Sequence, residues 1–470
     1  MSDRGTSKAQ PRLVLHLDIN ETLILSDPAG GDSYVDSLNK IIAKLALVRP
    51  VTDAPADAAL LARWTWVDGT PLDPAARENG APPPPLAYST WDVPSGAVRF
   101  YAVDALKRRF ARAFCTAPDS PGRVYSRVYA DADAKLRWPE GARTDSPLCR
   151  VEAGIARHFI LPAALVAIRE LHRRGREFQI VVRTFGTDLH DVAAALSSFA
   201  RGSHPDFPLD DLSAPALSDT PIGQPTDGPP PVRIPQAELR AHNCFTGRYA
   251  PSGFTLAPAP GARAMGVLTD ETEIARFVAW PARLGGAAGA ASAVRASPAL
   301  GIADDYLYWS ANGCAPWAGK PLWLGAGADA DDDDDDEGGN ACDHIFFDDN
   351  IHDNASDSIV AVRVRELAPP PIGACAADGG GAYAQRRYAP LSGEASRALR
   401  GLALVPVPTL RAVLDDQWML REIDATEARL AKARGAAHAA GYGADWVRWV
   451  VDQARTDEYI GGASSRSCPR

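Results

Sequence analysis

Short apolar runs, each ended by a polar cluster, punctuate this chain. Leu13, Val14, Leu15 and Leu17 form the first, Phe178 to Val182 the second, His344 to Phe347 the third and Ile359 to Val364 the fourth. Near-continuous runs of this length read as strands buried on both faces of a parallel sheet. Helical patterns alternate with them. Leu38, Ile41, Ile42 and Leu45 share one face after a cap at Asp36 or Ser37, and Pro50 stops that helix. Leu161 to Arg174 carries an apolar face, basic residues near its end and Gly175 as its stop. Asp188 to Ala200 reads as another helix with Asp188 as its amino-terminal cap, and Leu410 to Ala433 as a terminal one. Such alternation predicts an α/β fold with a mostly parallel sheet.

Between these elements the pattern weakens. Residues 51–147 are irregular, with the Pro82 to Pro85 run, several tryptophans and one helical stretch, Val103 to Phe114. Ser203 to Pro235 is too poor in apolar residues to build a core, and Gly285 to Ala299 is a small-residue linker. Arg240 to Trp280, between them, regains aromatic and aliphatic character. A chain of 470 residues exceeds what one core usually organises. The expected division is a core domain of residues 10–50, 148–202 and 300–435, an inserted region at 51–147, a second, partly disordered insertion at 203–299, and a mobile acidic loop at 325–341.

Charge and cysteine usage narrow the function classes. The formal net charge is -10, but Asp329, Asp331 to Asp336 and Glu337 carry most of it, so the rest of the chain is nearly neutral. No basic stripe points to nucleic acid, and the acidic run reads as a solvated loop rather than a cation site. The seven cysteines are scattered, odd in number and never spaced Cys-x-x-Cys, as expected of reduced thiols in the cytoplasm. The amino terminus lacks the apolar core of a signal peptide and no run is long enough to span a bilayer, so a soluble protein with no membrane partner is expected.

The polar clusters carry the candidate chemistry. The first run ends in Asp18-Ile19-Asn20-Glu21-Thr22, the second in Arg183-Thr184-Phe185-Gly186 and the third in Asp348-Asp349-Asn350, with Asp353 following; Lys320 sits in Ala-Gly-Lys-Pro before the third. A carboxylate at the carboxyl end of a parallel strand faces the crevice where open α/β sheets bind ligands. Singly, each residue has a plain reading: a turn cap for Asp18, a strand-end hydroxyl for Thr184, a surface lysine for Lys320 and a helix start for Asp348. Together and in this order they resemble the four motifs of the haloacid dehalogenase-like (HAD) superfamily, the first of which reads Asp-x-Asp-x-Thr/Val.

That resemblance implies a Rossmann-like three-layer αβα sandwich. It places residues 51–147 in a cap position, with a decorative surface insertion as the plain alternative, and a small hairpin turn at Asp27-Pro28-Ala29-Gly30-Gly31. It also implies a Mg²⁺-dependent phosphohydrolase acting on a small phosphorylated substrate. Asp18 would be the nucleophile that forms an aspartyl-phosphate. The Asp18 carboxylate, the main-chain carbonyl of Asn20, and Asp348 or Asp349 would hold Mg²⁺ in an all-oxygen site. Thr184 and Lys320 would bind the phosphoryl oxygens. Asn20 departs from the motif, whose second aspartate serves as general acid and base. A carboxamide does neither, and losing such catalysis costs about 10²- to 10⁴-fold in rate. Adjacent Glu21 is expected to point to the other side of the turn. The expectation is therefore a slow phosphatase, with a catalytically weak HAD-fold pseudoenzyme that binds a phosphate ligand or protein partner as the alternative.

Overall fold

A computed structural model describes the chain except for residues 1–9, 27–30, 56, 78–80, 90–92, 209–233, 252, 260–265, 280–298, 326–341, 353–357, 368–385 and 465–470. The hairpin turn after the first motif, the acidic run, Asp353, and most of the Ser203 to Pro235 and Gly285 to Ala299 stretches lie outside the described residues.

Seven strands form the central sheet: β1 (Arg12–Asp18), β2 (Phe178–Thr184), β3 (Cys244–Ala250), β4 (Gly253–Pro258), β5 (Leu300–Ala303), β6 (Cys342–Asp348) and β7 (Leu404–Pro406). Their order is β7-β6-β1-β2-β5-β3-β4, and every neighbouring pair is parallel except the β3–β4 hairpin. The chain is thus mixed α/β with a mostly parallel sheet. Every residue of β1 is buried because both faces are covered. Leu13, Leu15 and Leu17 share one apolar cluster with Ile180, Ile345 and the helices Pro162–Arg173, Leu189–Ala200 and Trp418–Ala439. Burying one such leucine contributes about 1.5–3 kcal/mol. Val14 and Val181, on the opposite face, join Phe254, Ile274 and Trp323.

On that opposite face the cover is shared between a helix and a second sheet. Part of its cover is a second sheet, in which Lys320–Leu324 pairs parallel with Val360–Leu367, and Val360–Leu367 pairs antiparallel with Arg386–Pro390. The helix Glu271–Ala279 supplies Ile274 beside Trp323 of this sheet. The strand expected at Ile359 to Val364 therefore exists but belongs to this smaller sheet, since an apolar run does not specify its pairing partner. Similarly, β3 and β4 come from the stretch expected as a second insertion and extend the central sheet at its edge.

Four helix boundaries also differ. The first helix, Tyr34–Leu45, is capped by Ser33, whose hydroxyl accepts from Asp36 N while Asp36 accepts from Ser33 N. This reciprocal box puts Asp36 inside the helix rather than at its cap. The helix stops at Leu45 because the chain turns directly into the strand Leu47–Pro50. Asp104–Phe110 is shorter than expected and tightens into a 3₁₀ turn at Ala111–Ala113, while Ser126–Lys135 was not anticipated. The terminal helix is broken into Thr409–Leu414 and Trp418–Ala439, with extended backbone at Asp415, whose carboxylate accepts from Gln417 N. A local bond of this kind competes with helix continuation.

Within residues 51–147, Trp64–Trp66 and Val98–Arg99 flank Leu47–Pro50 in an antiparallel sheet. Trp66 packs with Phe100, Phe114 and Tyr125, and Leu38, Ile41 and Ile42 of the first helix enter the same cluster. The inserted region is thereby anchored to the helix that follows Asp18. Among the described residues, no helix is long and apolar enough to cross a membrane.

Candidate functional site

From β1 the chain moves to β2, goes on to the edge hairpin β3–β4, returns to β5 between β2 and β3, and then crosses to add β6 and β7 on the other side of β1. A reversal of this kind, beside β1, is where open parallel sheets receive ligands. Asp18 ends β1, Thr184 ends β2 and Asp348 ends β6, while Lys320 begins the smaller sheet. The Lys320 ammonium donates to Asp18 Oδ1 and, at 2.8 Å, to Asp348 Oδ2. All three residues are almost wholly buried. A buried ammonium needs such partners, because an unpaired charge in the interior is prohibitively costly.

The electrostatics reflect crowding. Burial, and then the neighbouring Asp348 carboxylate, push the Asp18 carboxyl up to about 7 against the pull of Lys320. Burial and Glu21 raise Asp349 well above the usual carboxylate range, opposed by Lys44. Burial works to deprotonate Lys320, but Asp18 and Asp348 outweigh it and hold the ammonium charged. Asp348 is fixed from a second side, as its Oδ1 accepts from Asn350 N at 2.8 Å, and Asp349 Oδ1 accepts from Asn350 Nδ2 at 2.9 Å. Among the described residues, one group could hold a metal ion: Asp18, Asp348 and Asp349, with one oxygen from each lying within 4.8 Å of the others. This all-oxygen, mutually repelling set fits a hard divalent cation such as Mg²⁺, whose charge would relieve the repulsion.

The turn after β1 is tight, with the Ile19 carbonyl accepting from Leu23 N and Ile24 N at 2.9 Å each. Glu21 takes the left-handed conformation there, with φ 56°. Its carboxylate pairs with Lys44, whereas the Asn20 amide meets Asp188. Glu21 Oε2 lies 2.6 Å from Lys44 Nζ, which lies 3.5 Å from Asp349 Oδ2, so Glu21 is tied to the acidic group through a lysine that the sequence reading missed. The Asn20 amide donates to the Ser26 carbonyl at 3.1 Å and to Asp188 Oδ2 at 3.2 Å. Both partners accept, which fixes the orientation of the amide. Thr184 Oγ1 accepts from Gly186 N at 2.8 Å, leaving its hydroxyl hydrogen to donate.

Asp188 precedes Leu189–Ala200 but makes no side-chain capping bond. Its backbone is helical (φ -77°, ψ -5°) rather than extended, so its carboxylate is not aimed at the first helical N–H groups. It faces Asn20 instead. Sequence spacing could not reveal this contact, because a helix-start aspartate is ordinarily spent on its own helix.

Arg183 was also missed. Its guanidinium pairs with Asp304 through two bonds, at 3.0 and 2.5 Å, and donates to the Pro321 carbonyl at 2.9 Å. It thus joins β2 to the residues just after β5 and to the strand that Lys320 begins. Below it, His16 Nε2 lies 3.1 Å from His344 Nδ1. Burial lowers His344 to about 4, and burial, His344 and Arg183 hold His16 well below its usual range, so both rings are neutral near pH 7. No protein-family model, curated protein or solved structure matches the chain, and the site is read from its geometry.

Proposed function

We propose that the chain is a HAD-like, Mg²⁺-dependent phosphohydrolase acting on a small phosphorylated substrate, with Asp18 as its nucleophile. The observation that carries this reading is the Lys320 ammonium bridging Asp18 and Asp348 at the reversal of strand order, beside the third carboxylate, Asp349. The Asp18 carboxylate attacks phosphorus, the ester P–O bond breaks, and an aspartyl-phosphate forms; water then attacks that phosphorus and regenerates Asp18. Lys320 favours the ionised form of Asp18 against burial and Asp348, and donates to the phosphoryl oxygens, as does the Thr184 hydroxyl. Asp18, Asp348, Asp349 and the Asn20 main-chain carbonyl would hold Mg²⁺, which supplies positive charge for the phosphoryl oxygens when bound. The same reading describes the fold as a Rossmann-like three-layer sandwich whose second outer layer includes the small sheet, with residues 51–147 as a cap.

Asn20 supports a second reading, a pseudoenzyme that binds phosphate without turnover. A panel of phosphate esters assayed with and without Mg²⁺, together with beryllofluoride binding, separates the two. Mg²⁺-dependent hydrolysis that is lost in Asp18→Asn is the expected result. Beryllofluoride binding with no turnover of any ester would favour the pseudoenzyme, and neither binding nor turnover would overturn both.

A further inference from the structure

We propose that Asp188 supplies the acid/base carboxylate that residue 20 lacks, so that the proton-transfer group of this site stands after the second strand rather than the first. The inference rests on the phosphohydrolase reading. Three observations support it. Asp188 is more than nine-tenths buried although it neither caps its helix nor lies in the sheet. Its Oδ2 accepts from Asn20 Nδ2 at 3.2 Å, which brings a carboxylate to the residue where the motif would carry one. The third observation is the crowding of polar atoms around Gly186. A Cβ added there would lie 3.1 Å from Asp188 Oδ2, 3.3 Å from Thr184 Oγ1 and 3.5 Å from Asn20 Oδ1. These three polar atoms therefore converge around one methyl-sized position next to the hydroxyl assigned to the phosphoryl group.

The chemistry balances in two steps. Protonated Asp188 gives its proton to the leaving oxygen as the ester P–O bond breaks and the bond from Asp18 to phosphorus forms. Asp188, now a carboxylate, takes a proton from water as the water oxygen bonds phosphorus and the P–O bond to Asp18 breaks. Phosphate leaves, Asp18 is again a carboxylate and Asp188 again carries its proton. Asn20 acts as a positioning residue: its fixed amide hydrogen bond holds Asp188, and an amide avoids setting a second carboxylate against the first.

The test uses the full chain at saturating Mg²⁺ with nitrophenyl phosphate and an alkyl phosphate, and compares the parent, Asp188→Asn, and the exchange Asn20→Asp with Asp188→Asn. Asp188→Asn is nearly isosteric and should keep its melting temperature and beryllofluoride binding. Its kcat on the alkyl phosphate should fall about 10²- to 10⁴-fold. Formation of the phosphoenzyme from nitrophenyl phosphate should fall less, because that leaving group needs little protonation, and acid-quenched phosphoenzyme should accumulate. The exchange should recover alkyl phosphate turnover to within about tenfold of the parent, a rescue that a purely structural role would not give. Parent-like turnover in Asp188→Asn would overturn the proposal. So would an equal loss on both esters with no accumulation and no rescue. If the parent itself hydrolyses neither ester and traps no phosphoenzyme, it is the phosphohydrolase reading that fails, and this role falls with it.

Discussion

Lys320 lies 2.8 Å from Asp348 while also holding Asp18, so one buried ammonium compensates the carboxylates at the ends of two neighbouring parallel strands. Replacing it with methionine keeps much of the volume and strands two carboxylates away from water. Breaking a buried pair in this way costs about 3–5 kcal/mol. Lys320→Met should lose stability of that order in urea unfolding and recover part of it when Mg²⁺ is added, because a cation that binds only the folded chain stabilises by mass action. A variant as stable as the parent without Mg²⁺ would show that the two carboxylates do not depend on the lysine.

The raised carboxyl of Asp18 sets the sign of a pH dependence. Its folded value is about 7 against an ordinary 3.8, so without cation the folded chain binds a proton there more tightly than the unfolded chain. The resulting stability is full below the ordinary value and is lost as pH rises through about 7. Asp349, also raised, adds the same sign. In chelator, the urea midpoint should fall between about pH 5 and about pH 8, and Mg²⁺ should flatten the profile. Asp18→Asn should flatten it in part even in chelator, since Asp349 remains. A parent profile that is already flat in chelator would mean that these carboxyls titrate in their usual range.

Asp18, Thr184 and Asp348 were legible in the sequence because each ends a buried apolar run, and strand ends in a parallel sheet are where polar groups converge. Lys320 was legible only through the order of the motifs, since nothing local distinguishes it from a surface lysine before a proline. Lys44, Arg183 and the contact of Asp188 with Asn20 were not legible. The partners of Arg183 and Asp188 lie 121 and 168 residues away in sequence, and a helix or strand pattern records which face is buried but not what meets it. The same limit applies to Val360–Leu367, whose residues read correctly as a strand while its assignment to the smaller sheet depended on pairing with Lys320–Leu324.

Gly186 packs tightly against the polar groups of Asp188 and Thr184. A methyl there would meet Asp188 Oδ2 at 3.1 Å and Thr184 Oγ1 at 3.3 Å, close enough that one of them must give by a few tenths of an ångström. Gly186→Ala should therefore lose less than about 2 kcal/mol of stability, within the ordinary range for a mild overpacking, yet lower turnover by at least about tenfold through displacement of these groups. Urea unfolding and kcat on nitrophenyl phosphate check the two halves separately. Unchanged turnover in a folded Gly186→Ala protein would place Thr184 and Asp188 outside the reacting region.

Asn20→Asp tests the division of labour between residues 20 and 188 directly. The partners of the Asn20 amide, Ser26 O and Asp188 Oδ2, both accept, so a carboxylate introduced there loses both hydrogen bonds unless it takes up a proton. Two carboxylates in contact raise one another, and the pair should retain a shared proton to higher pH. Without Mg²⁺ the variant should consequently be less stable than the parent at pH 8, with the difference shrinking toward pH 5 as the pair protonates. Its kinetic effect depends on the background. With Asp188 already serving as acid and base, Asn20→Asp should raise alkyl phosphate turnover less than about tenfold; in Asp188→Asn it should raise the same rate by about 10²-fold or more. The coupling between the two substitutions, read from kcat in a double-mutant cycle, is then large and of one sign. An equal gain in both backgrounds would instead show that residue 20 acts independently and that Asp188 is a spectator, restoring the view that this site lacks its proton-transfer group altogether.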